Sequence, residues 1–196
     1  MWFKKEGAPS KRSAIETCKR GRETDKLVEF LQDSDVSVSN CAWQALMDIG
    51  VESVPALTQA LEDPRSYLSA VRALAYGLTD NGRRLDDDLR QALEPAKRYL
   101  VAVVEGAKIL PGVDAYEESV SAAVNALRFI GDSSALPALE GLLAKVRAKI
   151  AVQGNLREYV DAGNIRGFVT TQDSVLHLEA PIRAIRENPN PSERHR

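Results

Sequence analysis

A leucine pair that recurs after 30 residues constrains the fold of this chain more than any other feature. Leu27 and Leu31 return as Leu57 and Leu61, and each pair lies in a short segment with helical spacing. An acidic turn and a second helical pattern follow each segment. Self-similarity at this period indicates a stack of helix pairs, in which each unit needs its neighbours to bury its apolar face.

The second pattern of the first unit predicts a helix from Asp35 to Asp48. Asp35 is the predicted N-cap, because a carboxylate accepts hydrogen bonds from the free amides of a first turn. Gly50 is the predicted C-terminal stop. In the next unit, Asp63 is the predicted cap and Pro64 the first helical residue. The buried stripe of the first of these helices is predicted to hold Val38, Cys41, Ala42, Ala45 and Ile49.

A turn motif carries a family resemblance. Residues 49–57 read Ile-Gly-Val-Glu-Ser-Val-Pro-Ala-Leu, and residues 130–139 repeat this pattern with one insertion. The Ile-Gly step, the Pro-Ala-Leu start and the Ala-rich second helix resemble HEAT repeats of the short type found in bacterial phycobilisome-lyase-type proteins. The resemblance covers residues 24–82 and 114–143. It implies an all-α fold, an α-solenoid of about four antiparallel HEAT-like helix pairs, with irregular last pairs and a right-handed stack.

The rest of the chain is less regular. Further helices are predicted over residues 85–110, 116–130, 137–150 and 173–187, and Pro95 is expected to kink or split the first of these after Glu94. The predicted organisation is a basic flexible leader at 1–23 with one short helix around Ser13 to Arg20, a HEAT-like solenoid domain at 24–187 and a disordered tail at 188–196.

Charge is distributed unevenly along the chain. Residues 1–26 contain eight Lys or Arg and four Asp or Glu, whereas residues 27–64 contain seven Asp or Glu and neither Lys nor Arg. Proteins that bind nucleic acid concentrate positive charge on the binding face. The most regular part of this chain is acidic, which makes nucleic acid an improbable partner.

The sequence offers few groups for catalysis or metal binding. Its two histidines, His177 and His195, have no cysteine or second histidine nearby at zinc-site spacing. The Asp86-Asp87-Asp88 run is typical of a helix start, where negative charge faces the positive end of the dipole. We therefore expect a protein without catalytic residues, metal or cofactor.

Trp43 is the most informative candidate binding residue. It lies opposite the buried stripe of its helix, and in HEAT arrays the second helix of each pair usually lines the concave surface. A Trp at this position either binds a partner in the groove or packs beneath the next repeat, and the sequence leaves both readings open. The predicted concave face consists of Val36, Asn40, Trp43, Met47, Ala70, Ala73, Gly77, Ser121, Val124 and Arg128.

The architecture favours a non-enzymatic adaptor that holds a protein or peptide on its concave face. Two alternatives follow from the family resemblance. A HEAT-like DNA glycosylase would use Trp43 and Asp48, but residues 27–64 lack the basic groups it needs; a lyase-type chaperone of a tetrapyrrole protein is suggested by the repeat subtype alone. The longest apolar run, residues 100–104, is too short to span a bilayer, and no secretory signal follows Met1, so we expect a cytoplasmic protein.

Overall fold

The computed structural model describes residues 10–77, 87–108, 116–153 and 172–187. Every regular element in these ranges is helical and none is a strand, which confirms the all-α prediction. No helix within them is both long and apolar enough to cross a bilayer. The helices are α1 (Lys11–Gly21), α2 (Thr24–Phe30), α3 (Val36–Ile49), α4 (Val54–Ala60), α5 (Tyr67–Arg72), α6 (Asp87–Glu105), α7 (Tyr116–Ile130), α8 (Leu136–Gln153) and α9 (Gln172–Glu187).

The 30-residue repeat is visible in the helices. Helices α2 and α4 have seven residues each and begin 30 residues apart, at Thr24 and Val54. The four leucines that recur between them, Leu27, Leu31, Leu57 and Leu61, are all buried. Because the same positions are buried in both units, the repeat reflects equivalent packing rather than a chance similarity in sequence.

The turn motif also recurs in three dimensions. Gly50 and Gly131 both adopt positive φ, 77° and 66°, at the ends of α3 and α7. A short 3-10 segment follows each glycine, at Gly50–Ser53 and at Ser133–Ala135, and leads directly into α4 or α8. Glycine reaches this backbone region without the steric penalty of a Cβ, so it ends both helices at the same place in the unit.

The helices pack in two layers. Helices α2, α4, α6 and α8 contact one another in succession, and so do α3, α5 with its π-helical extension (Ala73–Gly77), α7 and α9. Contacts between the layers join α2 with α3, α4 with α5, α6 with α7 and α8 with α9. A single run of buried side chains extends from Ile15 to Ile185 between the layers.

Part of the N-terminal segment forms the short helix that the sequence predicts around Ser13 to Arg20. Residues 11–21 form α1, whose N-terminus is capped by Ser10 and which packs against α2 and α3. Ile15 and Cys18 are buried, so this part of the segment belongs to the core. Residues 1–9 and the predicted tail at 188–196 lie outside the described residues.

Two proline predictions need correction. Helix α5 begins at Tyr67 rather than Pro64, because the carbonyl of Asp63 accepts hydrogen bonds from the amides of Ser66 and Tyr67 and forms a tight turn first. Helix α6 runs continuously through Pro95, so the helix is not split there. Pro95 is exposed, where the loss of one backbone hydrogen bond is most easily compensated by water.

Candidate functional site

Helix α3 presents the part of the predicted binding face that is open to solvent. Val36 is 71% exposed, Asn40 is also exposed, and Trp43 is half-buried and packs against the core. These three residues are spaced by four and three positions, so they lie along one side of the helix. The side chain of Trp43 is thus anchored by packing while part of it remains accessible.

Four of the ten predicted residues lie in the core and cannot line an open surface. Residues opposite the main apolar stripe of α3 can be buried because this helix has neighbours on several sides. It packs against α1, α2 and the π-helical segment. Helix α7 similarly contacts α5, α6 and α9. The four buried residues are Met47, Ala70, Ala73 and Val124.

The other predicted residues are dispersed. Ser121 is half-buried on α7, and its Oγ lies 3.1 Å from Nε2 of His177 on α9. Arg128 is exposed at the end of the same helix. Gly77 is the last residue of the π-helical segment, and its surroundings lie outside the described residues. The predicted row is therefore reduced to an exposed strip on α3, with separate polar positions on α7.

A groove of about 500 Å³ separates α2 from α4. Its floor contains Ala56, Ala60 and Val28, and small side chains there keep it open. Three carboxylates line it: Asp63 pairs with Arg65 (3.0 Å), Glu62 lies 3.5 Å from Lys108, and Asp25 has no ion pair within the described part of the chain. The hydrogen bonds that Asp63 accepts from Arg65 hold its pKa below the usual range.

A larger cleft, of about 680 Å³, lies between α8 and α9. Ion pairs cross it at two points, since Arg147 contacts Glu179 (2.5 Å) and Arg186 contacts Glu140 (2.7 Å). Charges of both signs line it, so it offers no field that favours a ligand of one sign. Both pairs are exposed and contribute little stability, so the buried side chains of α8 and α9 hold this helix pair together.

Three ion pairs connect α1 and the residue after it with α3 and its flanking residues; we call them the charged seam. Nζ of Lys11 lies 2.6 Å from Asp33, Nζ of Lys19 lies 2.5 Å from Asp48, and Arg22 pairs with Glu52. The hydrogen bond from Lys11 lowers the pKa of Asp33, and the hydrogen bond to Asp48 raises the pKa of Lys19. The seam was missed in the sequence because its partners are 22 to 30 residues apart.

The structure places several carboxylates that sequence analysis considered as candidate sites. The described ranges contain no cluster of three or more His, Cys, Asp or Glu arranged to hold a metal ion. Asp48, which a glycosylase would require as a free carboxylate, accepts hydrogen bonds from Lys19 (2.5 Å) and Gln44 (3.1 Å). Asp87 pairs with Arg90 one turn along α6 (3.1 Å), as expected for a helix start.

Comparison with known proteins identifies no relative. No family model, no curated protein and no solved structure matches the chain.

Proposed function

We propose that this chain is a short HEAT-like α-solenoid that acts as a non-enzymatic, protein-binding adaptor in the cytoplasm. Two observations support the solenoid: the helices pack in two layers in which each contacts its successor, and the turn motif repeats between α3–α4 and α7–α8. Such arrays present extended helical faces, and they commonly serve as binding surfaces.

The exposed strip on α3 carries the proposal. Val36, Asn40 and Trp43 combine an exposed aliphatic side chain, an amide that can donate and accept, and an aromatic ring held in place by the core. Binding hot spots are enriched in Trp, and a ring that is already fixed loses little entropy when a partner covers it. The strip is therefore suited to a peptide, a helix or the edge of a folded protein.

A Val36→Glu variant tests the strip without disturbing the core. Val36 is the first residue of α3 and is 71% exposed, so Glu at this position meets the favourable end of the helix dipole and should change the stability by less than about 0.5 kcal/mol. Proteins captured from the native host by the wild type should be lost with Val36→Glu, because a charge would be buried in the interface.

Leu176→Glu is the matched control. Leu176 is also an exposed aliphatic residue, 62% exposed, but it lies on α9. This variant should retain the captured proteins. Equal recovery with the wild type and with Val36→Glu would exclude the α3 strip as the binding surface.

A further inference from the structure

Helix α1 is itself a basic helix bound to an acidic strip. The strip consists of Asp33 before α3, Ser37 and Asp48 within it, and Glu52 after it. Each of these side chains accepts a hydrogen bond from a cation. Lys11, Arg12 and Lys19 of α1 supply three of the bonds, and Arg22, just after α1, supplies the fourth. All the cations come from the first 26 residues and all the carboxylates come from the acidic segment 27–64.

The apolar contact beneath these charges is small. Ile15 and Cys18, spaced by three positions, are the only buried residues of α1. The remainder of the helix is polar, with Lys or Arg at both ends. The bound element is thus a short basic amphipathic helix, whose apolar side chains enter the core while its cations reach the acidic strip.

The attachment of α1 is weak for three reasons. Its ion pairs are largely in contact with water, and exposed pairs contribute little stability. Few apolar side chains are buried. The link to α2 passes through Arg22 at φ 53°, a left-handed conformation that is unfavourable for a residue with a Cβ. Helices held in this way open locally at lower cost than the core around them.

We propose that this acidic strip is a docking surface for a basic amphipathic helix of a partner protein, and that α1 is its built-in competitor. The inference rests on the proposed binding function but concerns a different side of α3 from the Val36 strip. A second copy of the chain is a poor occupant, because its α1 would only exchange contacts that it already makes within its own chain. A partner helix must supply what α1 supplies, an apolar pair at three-residue spacing and cations toward both ends.

The test uses the full-length chain with Lys11→Glu and Lys19→Glu together, which repels α1 from the strip. The probe is a labelled peptide with the sequence of residues 10–23, followed by fluorescence anisotropy at low salt under reducing conditions. The variant should bind this peptide at least about ten-fold more tightly than the wild type, in which α1 occupies the strip. Adding Asp33→Asn and Asp48→Asn, which removes the carboxylates without giving the substituted positions 11 and 19 a cation to pair with, should abolish most of the binding, and raised salt should weaken it.

Amide hydrogen exchange across residues 11–21 reports whether α1 has been released. If exchange there is fast and the peptide still does not bind, the strip does not recognise a basic helix and the proposal fails. Self-association of the wild type through exchanged α1 helices would also overturn it, by making a second copy the occupant. Val36-dependent capture that persists in either case leaves the proposed function standing.

A second variant keeps the proposal testable if the first variant fails to fold. Ile15→Asp expels α1 through its apolar contact and leaves every charge of the seam unchanged. It should bind the same peptide, since the peptide restores both the isoleucine and the cations. Lack of binding by this variant, with fast exchange in residues 11–21, would contradict the proposal independently.

Discussion

At the scale of single residues, periodicity predicted burial well on one side of a helix and poorly on the other. The predicted stripe of α3 is in the core or packed against it, as expected for residues at helical spacing. Met47 was placed on the open side, yet it is buried, because α1 and the π-helical segment cover α3 laterally. The number of neighbours around a helix depends on tertiary packing, which a local pattern does not encode. Trp43 lies between the two cases: it is half-buried and packs against the core.

Arg22 shows a second limit of local reading. Helix α1 ends with its left-handed residue at Arg22, although glycine, the residue best suited to that conformation, occupies the preceding position. The amides of Arg22 and Glu23 satisfy the last carbonyls of the helix, so the turn forms despite its unfavourable φ. Gly7, Pro9 and Gly21 in a basic segment suggested a loose leader around a short helix, whereas that helix has a defined end at Arg22.

Replacing Arg22 with glycine should therefore stabilise the protein slightly, by about 0.5 kcal/mol. Glycine relieves the left-handed strain, which is worth about 1 kcal/mol. This gain exceeds the combined cost of losing an exposed ion pair with Glu52 and of giving the unfolded chain more conformational freedom. Urea denaturation measures the change. Arg20→Gly is the control, since it places glycine inside α1 and should cost up to about 1 kcal/mol. Equal destabilisation by both variants would show that the contact with Glu52 outweighs the strain.

At the scale of elements, the sequence was most informative where a cap and a stripe agreed. Asp35 caps α3 by accepting from the amide of Ser37 (2.9 Å), and α7 covers residues 116–130 as predicted. Errors occurred where a short-range signal was read too literally. Asp63 accepts from the amide of Arg65 (2.9 Å), the same contact that Asp35 makes with Ser37, so it caps its turn as predicted; the error concerned Pro64, since α5 begins at Tyr67.

Glycine substitutions in one unit test the structural role of the repeated turn. Gly131→Ala should destabilise the protein by about 1 kcal/mol or more, because φ is 66° at this position and a Cβ is disfavoured there even though space is available. Gly141→Ala lies nearby in the interior of α8, where a Cβ meets nothing within 4 Å, and should stabilise by about 0.5–1 kcal/mol. Thermal unfolding of the two variants should therefore shift in opposite directions. Shifts in the same direction would contradict the helix end assigned at Gly131.

At the scale of the whole molecule, the fold brings together charges that the sequence separates. Among the described residues, Lys11, Lys19 and Arg22 of the basic first segment pair with Asp33, Asp48 and Glu52 of the acidic second segment. Composition alone could not reveal that cations of the first segment lie against carboxylates of the second. The all-helical class and the unit length were readable because they arise from local periodicity, whereas charge pairing depends on how the units stack.

A buried ion-pair network connects neighbouring units farther along the chain. Lys97 of α6 is only 7% exposed, and its ammonium donates to Asp132, in the turn before α8, and to Glu94. Burial alone would lower the pKa of Lys97, but the two carboxylates outweigh it and raise the pKa. Burial likewise opposes ionisation of Asp132, while Lys97 and the amide of Ser134 lower its pKa by a larger amount.

Asp132→Asn should reveal this network through its dependence on pH. Asparagine keeps the cap on the amide of Ser134 (2.8 Å) but removes the charge opposite Lys97. Because the folded-state pKa of Asp132 is depressed, its contribution is present above about pH 4, the range in which the unfolded carboxyl ionises, and disappears as the pH falls through the folded value. The free energy of unfolding of the variant should be lower than that of the wild type by about 2 kcal/mol at pH 7 and by almost nothing near pH 2. The loss at pH 7 is smaller than for a fully buried pair because Glu94 still faces Lys97.

Asp35→Asn is the control, since Asp35 caps a helix without an ion pair among the described residues. It should have little effect on stability at pH 7. Urea denaturation at the two pH values measures the difference, and an equal loss at both would show that the cap, rather than the ion pair, is what Asp132 contributes.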